Sequence, residues 1–154
     1  MSRTPVLAAV AGKVVALRDV ADPVFSQGMV GYGAAIDPPH EVVDAVAPVG
    51  GTLLKLMPHA YVILTGDGVG VLVHLGLDTV RLEGAGFTTH ATQGDTVTAG
   101  QAITTYDVPS VAAAGMNPVV PVVIMDEREP TNIDVAVGAG ESVTPHQTLF
   151  TAER

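Results

Sequence analysis

Two histidines end one short segment, His59-Ala-Tyr-Val-Ile-Leu-Thr-Gly-Asp-Gly-Val-Gly-Val-Leu-Val-His74. A neutral imidazole nitrogen is a good nucleophile toward phosphorus, a hydrogen-bond partner and a metal ligand at ordinary pH. Whether two such rings act together depends on whether the chain brings them to one face. Apolar runs flank Thr65-Gly66-Asp67-Gly68, and Gly-Asp and Asp-Gly are favoured centres of tight hairpin turns because both residues tolerate positive φ. A two-residue loop at Gly66-Asp67 sets His59 directly opposite His74. A loop at Asp67-Gly68 sets His74 opposite Tyr61 with His59 on the diagonal. Side chains alternate with period two, so either register puts both rings on one face. Directly opposed Cβ atoms lie about 4.5–5.5 Å apart and diagonal ones about 7–8 Å. A loop of odd length would separate the faces. Spacing alone leaves three uses open: a structural cross-strand pair, two ligands of a metal such as Zn²⁺, or phosphoryl transfer, in which one ring is the nucleophile and the other binds a phosphoryl oxygen. Leu72, Val73 and Leu75 beside His74 would keep the rim apolar, which slows attack by water and favours neutral imidazole.

These rings need a frame. The chain has 154 residues, 47% hydrophobic and 15% charged, which suits one folded domain over 1–154 and excludes disorder. Aromatics are only 4% with no Trp, so Val, Leu, Ile and Ala must build the core. Val-rich runs cut by 17 Gly and 11 Pro predict an all-β fold, an antiparallel sandwich or barrel-sandwich hybrid. Strands are expected at 5–10, 13–18, 34–37, 51–56, 59–64, 69–75, 86–91, 102–106, 119–124, 132–137 and 148–152. Helix is confined to a turn or so over 109–114 and a short 3₁₀ turn after Pro23. Self-similarity is weak but repeated. Ala9-Val-Ala-Gly-Lys-Val-Val-Ala-Leu17 resembles Pro48-Val-Gly-Gly-Thr-Leu-Leu-Lys-Leu56, and Gly94-Asp-Thr-Val-Thr-Ala-Gly-Gln101 resembles Gly140-Glu-Ser-Val-Thr-Pro-His-Gln147. Two copies of two β units predict internal pseudo-symmetry.

A net charge of −9 repels nucleic acid and attracts a basic protein. No cysteine is present, so disulfide and thiolate chemistry are excluded. No apolar run reaches the ~20 residues of a membrane helix, and a cytoplasmic location is the default expectation. His40, His90 and His146 read as surface or turn residues.

The segment Gly68-Val-Gly-Val-Leu-Val-His-Leu-Gly-Leu-Asp-Thr-Val80 closely resembles the phosphorylation signature of glucose-type enzyme IIA domains of the bacterial sugar phosphotransferase system. Further blocks follow the family's order: Asp22-Pro-Val-Phe25, Met29-Val-Gly-Tyr-Gly33, Ala47-Pro-Val-Gly-Gly51, Pro58-His-Ala-Tyr61, Glu83-Gly-Ala-Gly-Phe87 and Gly94-Asp-Thr-Val97. The resemblance implies a phosphocarrier with no dissociable cofactor. His74 would accept a phosphoryl group on Nε2 from HPr and pass it to a cysteine of a sugar-specific enzyme IIB of an IIB/IIC permease, while His59 stabilises the group in transit. An apolar docking collar would comprise Val24, Phe25, Met29, Val30, Leu72, Leu75 and Val80, rimmed by Asp22 and Asp78 facing a basic HPr. The unphosphorylated face could also bind regulated permeases or kinases. Many relatives carry Thr two residues before the second histidine, where this chain has Met57, and some carry Phe where it has Leu72. A zinc peptidase of the lysostaphin type shares the His74-x-x-x-Asp78 spacing but needs a downstream His-x-His that is absent. A biotinyl-type carrier needs a Lys at a hairpin tip, whereas Lys13 and Lys55 fall inside expected strands.

Overall fold

The computed structural model describes residues 3–153, so Met1, Ser2 and Arg154 of the expected domain lie outside the description. In chain order the elements are β1 (Arg3–Leu7), β2 (Gly12–Ala16), α1 (Pro23–Ser26), β3 (Gly31–Asp37), β4 (Val42–Val46), β5 (Gly51–Met57), β6 (Ala60–Leu64), β7 (Gly70–His74), β8 (Phe87–Thr89), β9 (Thr96–Val97), β10 (Ala102–Asp107), α2 (Val108–Ala113), β11 (Val120–Met125), β12 (Ile133–Val135), β13 (Ser142–Val143) and β14 (Thr148–Glu153). Single 3₁₀ turns span Leu17–Asp19, Thr79–Leu82 and Pro130–Asn132.

An eight-stranded sheet in the order β13-β2-β3-β11-β7-β6-β5-β9 dominates. Two three-stranded sheets, β1-β14-β12 and β4-β10-β8, complete an antiparallel β fold. The expected fold class is therefore observed. Read inward from its two edges, the large sheet pairs β13 with β9, β2 with β5, β3 with β6 and β11 with β7. That is the pseudo-symmetry the repeated segments imply. It extends to detail, because a Cβ on Gly12 or on Gly51 would come within 2.2 Å of a carbonyl oxygen of the neighbouring strand, Asp37 or Leu64 respectively. Only glycine permits so close an approach. The second repeat also matches: Gln101 Oε1 accepts from the Thr98 amide at 3.1 Å, and Gln147 Oε1 from the Thr144 amide at 2.8 Å.

Alternation along the central strands divides the apolar residues between two layers. Tyr61, Ile63, Val71, Val73, Val122 and Ile124 enter the main core. Ala60, Val62, Leu72 and Val123 face the other way, where Leu17, Val20 and Phe25 cover them. The cover comes from the long β2–β3 connection, folded back over the sheet. α1 is one α-helical turn where the sequence predicted 3₁₀. Asp22 caps it by accepting from the Val24 amide at 3.0 Å, and Pro23 occupies the first turn, where its missing N–H costs nothing.

Some strands differ from the sequence reading. β4 was not anticipated, and the two-residue strands β9 and β13 are too short to show alternation. β3 begins at Gly31 rather than 34, because the glycines there pair with β11 at close range. Residues 8–10 leave the β1 ladder and turn into the core instead of continuing a strand, with Val46 N–H bonding to Ala9 O at 2.8 Å. Among the described residues no helix is long and apolar enough to cross a membrane.

Candidate functional site

The β6–β7 hairpin departs from both expected registers by one residue. Leu64 pairs with Gly70 and Ala60 with His74. The ladder closes further at Thr65, whose N–H donates to Val69 O at 2.9 Å while its Oγ1 accepts from Val69 N–H at 3.0 Å. Gly66, Asp67 and Gly68 form the tip, and Gly68 sits in the left-handed region with φ 83°. A turn with a left-handed glycine behind it is the usual three-residue hairpin. The loop is therefore odd, and alternation alone would place the histidines on opposite faces.

They meet nonetheless, for a different reason. A bulge between Leu53 and Lys55 shifts the β5–β6 register, so that Met57 pairs with Ala60 and Pro58-His59 becomes a two-residue turn. His59 lies outside the strand, where alternation no longer dictates direction. Its carbonyl accepts from Leu75 N–H at 2.7 Å, which ties the turn to the end of β7. The two imidazole rings stand 5.1 Å apart between centroids, edge to face, at an interplanar angle of 73°. Phe25 closes the other side of His74 at 5.4 Å. Met57 is partly exposed, at 39%, and among the described residues no side-chain hydrogen bond orients the His59 ring.

Gly76 was not singled out by the sequence reading. His74 Nδ1 lies 2.5 Å from its carbonyl oxygen, so Nδ1 must carry the proton and donate, leaving the Nε2 lone pair free. The carbonyl is held firmly. Gly76 N–H donates to Val119 O at 3.0 Å and Leu77 N–H to Asn117 O at 2.8 Å, while buried Thr79 Oγ1 donates to Leu75 O at 2.8 Å. Gly76 itself has φ 85°, and a Cβ there would strike Thr79 Cγ2 at 2.6 Å. The signal that could have marked it is a glycine two residues after a histidine at a strand end, where a carbonyl can turn back on the ring.

Both histidines titrate below the ordinary imidazole range. For His74 burial is the main cause, partly opposed by the Gly76 hydrogen bond and by Asp22 and Asp78. For His59 burial comes first and the neighbouring His74 second. Neutral rings therefore prevail at pH 7. The site is a neutral imidazole with a fixed tautomer and a free Nε2, a second imidazole beside it and acids at its edge.

Around this pair the expected collar divides. Val24, Met29 and Val80 are exposed, and Val30 is half-buried. Phe25 and Leu72 are nearly closed off, at 5% and 8% exposure. Leu75 does not belong with them. It is fully buried in the main core, so it offers no surface to a partner. Asp78 is exposed with φ 60°, and Asp22, assigned to the rim, also caps α1. Among the described residues, no group of three His, Cys, Asp or Glu side chains could hold a metal ion. His90 is engaged elsewhere, with Nε2 2.6 Å from Thr105 Oγ1.

A single-turn helix, two short turns and a curled antiparallel sheet thus present one imidazole whose Nε2 is left free. A family model described as phosphoenolpyruvate-dependent sugar phosphotransferase system, EIIA 1, matches residues 4–130, and the chain belongs to that family. The solved glucose permease IIA from Mycoplasma capricolum superimposes with a TM-score of 0.88 at 35% identity, covering 99% of this chain and 97% of that one. A glucose-specific EIIA component from Oceanobacillus iheyensis is 36% identical over 143 residues, 89% of this chain and 86% of its own. A glucose-specific EIICBA component from Streptococcus pneumoniae is 48% identical over 106 residues, 68% of this chain, but the match spans only 14% of that protein.

Proposed function

We propose that this chain, as one EIIA domain over residues 1–154, is a cytoplasmic phosphohistidine relay. The observation that carries the reading is the Nδ1–Gly76 hydrogen bond, which leaves Nε2 of a neutral His74 as the nucleophile. In the first step the Nε2 lone pair attacks phosphorus on phospho-HPr. A new N–P bond forms on His74 as the donor histidine's N–P bond breaks. In the second step a thiolate of a sugar-specific enzyme IIB attacks the same phosphorus, and the pair of electrons returns to Nε2. His59, at 5.1 Å, donates to a phosphoryl oxygen as charge builds. Partial burial of the pair limits the access of water to the intermediate. Val24, Met29 and Val80 supply apolar contact to both partners, and Asp22 and Asp78 steer basic HPr.

Fusion of EIIA with permease parts in the streptococcal EIICBA relative supports IIB as acceptor. The same exposed apolar residues suit regulatory docking by the unphosphorylated form. Two imidazoles could take Zn²⁺ there only if a partner supplied a further ligand. The test is a relay of enzyme I, HPr, phosphoenolpyruvate and this protein, followed by intact mass. Gain of one phosphate that is stable in base, lost in acid and absent in His74→Ala is the expected result. No gain with HPr of matched origin would refute the relay.

A further inference from the structure

A second concavity lies away from the histidine pair, between the β2–β3 ribbon and the segment around β12. Its volume is about 400 Å³, within the size range of small-ligand sites. Its walls are mostly apolar, with Val14 and Leu17 at the base and Val135 at the rim. Val135 is 48% exposed, an apolar side chain with nothing yet covering it. Three residues with polar side chains also line this space: Arg18, Ser26 and Tyr32.

Among the described residues none of these three side chains is engaged in a hydrogen bond, and the ion pairs there belong to Arg3 and Arg128. Arg18 thus has no carboxylate partner among the described residues, and its charge is available to a ligand. An unpaired arginine among lining residues that are mostly apolar matches a ligand with one anionic end and one apolar body. A planar carboxylate suits Arg geometry best.

We infer that this cavity binds a fragment-sized amphipathic monocarboxylate, an acyl or aryl acid, with its carboxylate on Arg18 and its apolar body against Val14, Leu17 and Val135. The claim stands independently of the relay, since no residue in it belongs to the histidine site. The two sites are nevertheless neighbours, because Ser26 follows Phe25, whose ring packs on His74.

The experiment is an amide NMR titration of the full chain with sodium octanoate and sodium benzoate, with octylamine as the charge-reversed control. Saturable shifts at Val15, Ala16, Ser26 and Tyr32 are expected with the acids and not with the amine. Arg18→Gln, at an exposed position, should weaken the acids about tenfold or more, the loss expected for one charge-assisted contact. Ala139→Trp at the exposed lip should block them. No saturable shift with either acid, equal binding of octylamine, or undiminished binding by Arg18→Gln would overturn the inference. So would a response confined to phosphatidylglycerol vesicles, which would make the ligand a membrane surface rather than a free acid.

Discussion

The β2–β3 and β5–β6 ribbons occupy equivalent places in the large sheet, yet their connections have almost nothing in common. β5 returns through Pro58-His59 alone. β2 returns through residues 17–30, a 3₁₀ turn and α1 that fold back across the sheet. The short connection places the His59 ring beside His74. The long one brings Phe25 to the other side of His74 and covers Leu72, Val62 and Val123. The two halves of a repeated scaffold differ in their connections: one sets His59 beside His74 and the other builds the wall. Strands are constrained by ladder and core, whereas connections are not, so function accumulates in the latter.

This contrast predicts separable losses. Phe25→Ala should have the largest effect on stability, about 3 kcal/mol for an emptied aromatic site. It should also lower the affinity for HPr, and thermal unfolding with HPr titration would measure both. If it left stability unchanged, α1 would not be the wall described. His59→Gln should do the reverse: onward transfer to IIB falls by ten- to a hundredfold, about 1.4–2.7 kcal/mol, with acceptance less affected and unfolding unaltered. Single-turnover rates for the two half-reactions would decide it, and an equal drop in both would assign His59 to positioning alone. Asp22→Ala should cost about 1 kcal/mol through the lost cap. Denaturant midpoints would show that, and a loss of zero would mean packing by itself fixes α1.

A shallower effect distinguishes the chemistry-bearing turn by pH. Both histidines have folded-state pKa values below the unfolded value, so the unfolded chain binds more protons just below about 6.5. Stability should therefore be full above that pH and decline as pH falls toward the depressed values. The decline should shrink in His59→Gln and His74→Gln. An unchanged slope in the double variant would place the titration in other groups.

The sequence anticipated the pairing of two histidines and obtained the wrong geometry for it. Asp67-Gly68 reads equally well as the centre of a two-residue turn or as the end of a three-residue one, since glycine serves both. That single choice flips every side chain in the strand. The bulge at Leu54 is likewise silent locally, because its cause lies in fitting two ladders together. The collar shows the same limit. Val24, Met29 and Val80 lie exposed as expected, while Leu75 lies in the core, because neighbours in sequence point to opposite sides of a layer.

What the sequence by itself determined was composition and pattern: a β fold of Val-rich alternating runs, a repeated pair of units, and a histidine segment that resembles a known family's signature. These are properties of short segments and of the material available to a core. What the tertiary structure decided was register, the return of α1 over the sheet, and the Gly76 carbonyl that fixes the tautomer of His74. Each depends on contacts between residues distant in the chain, whose free energies are settled together when layers close and cannot be assigned to any one segment beforehand.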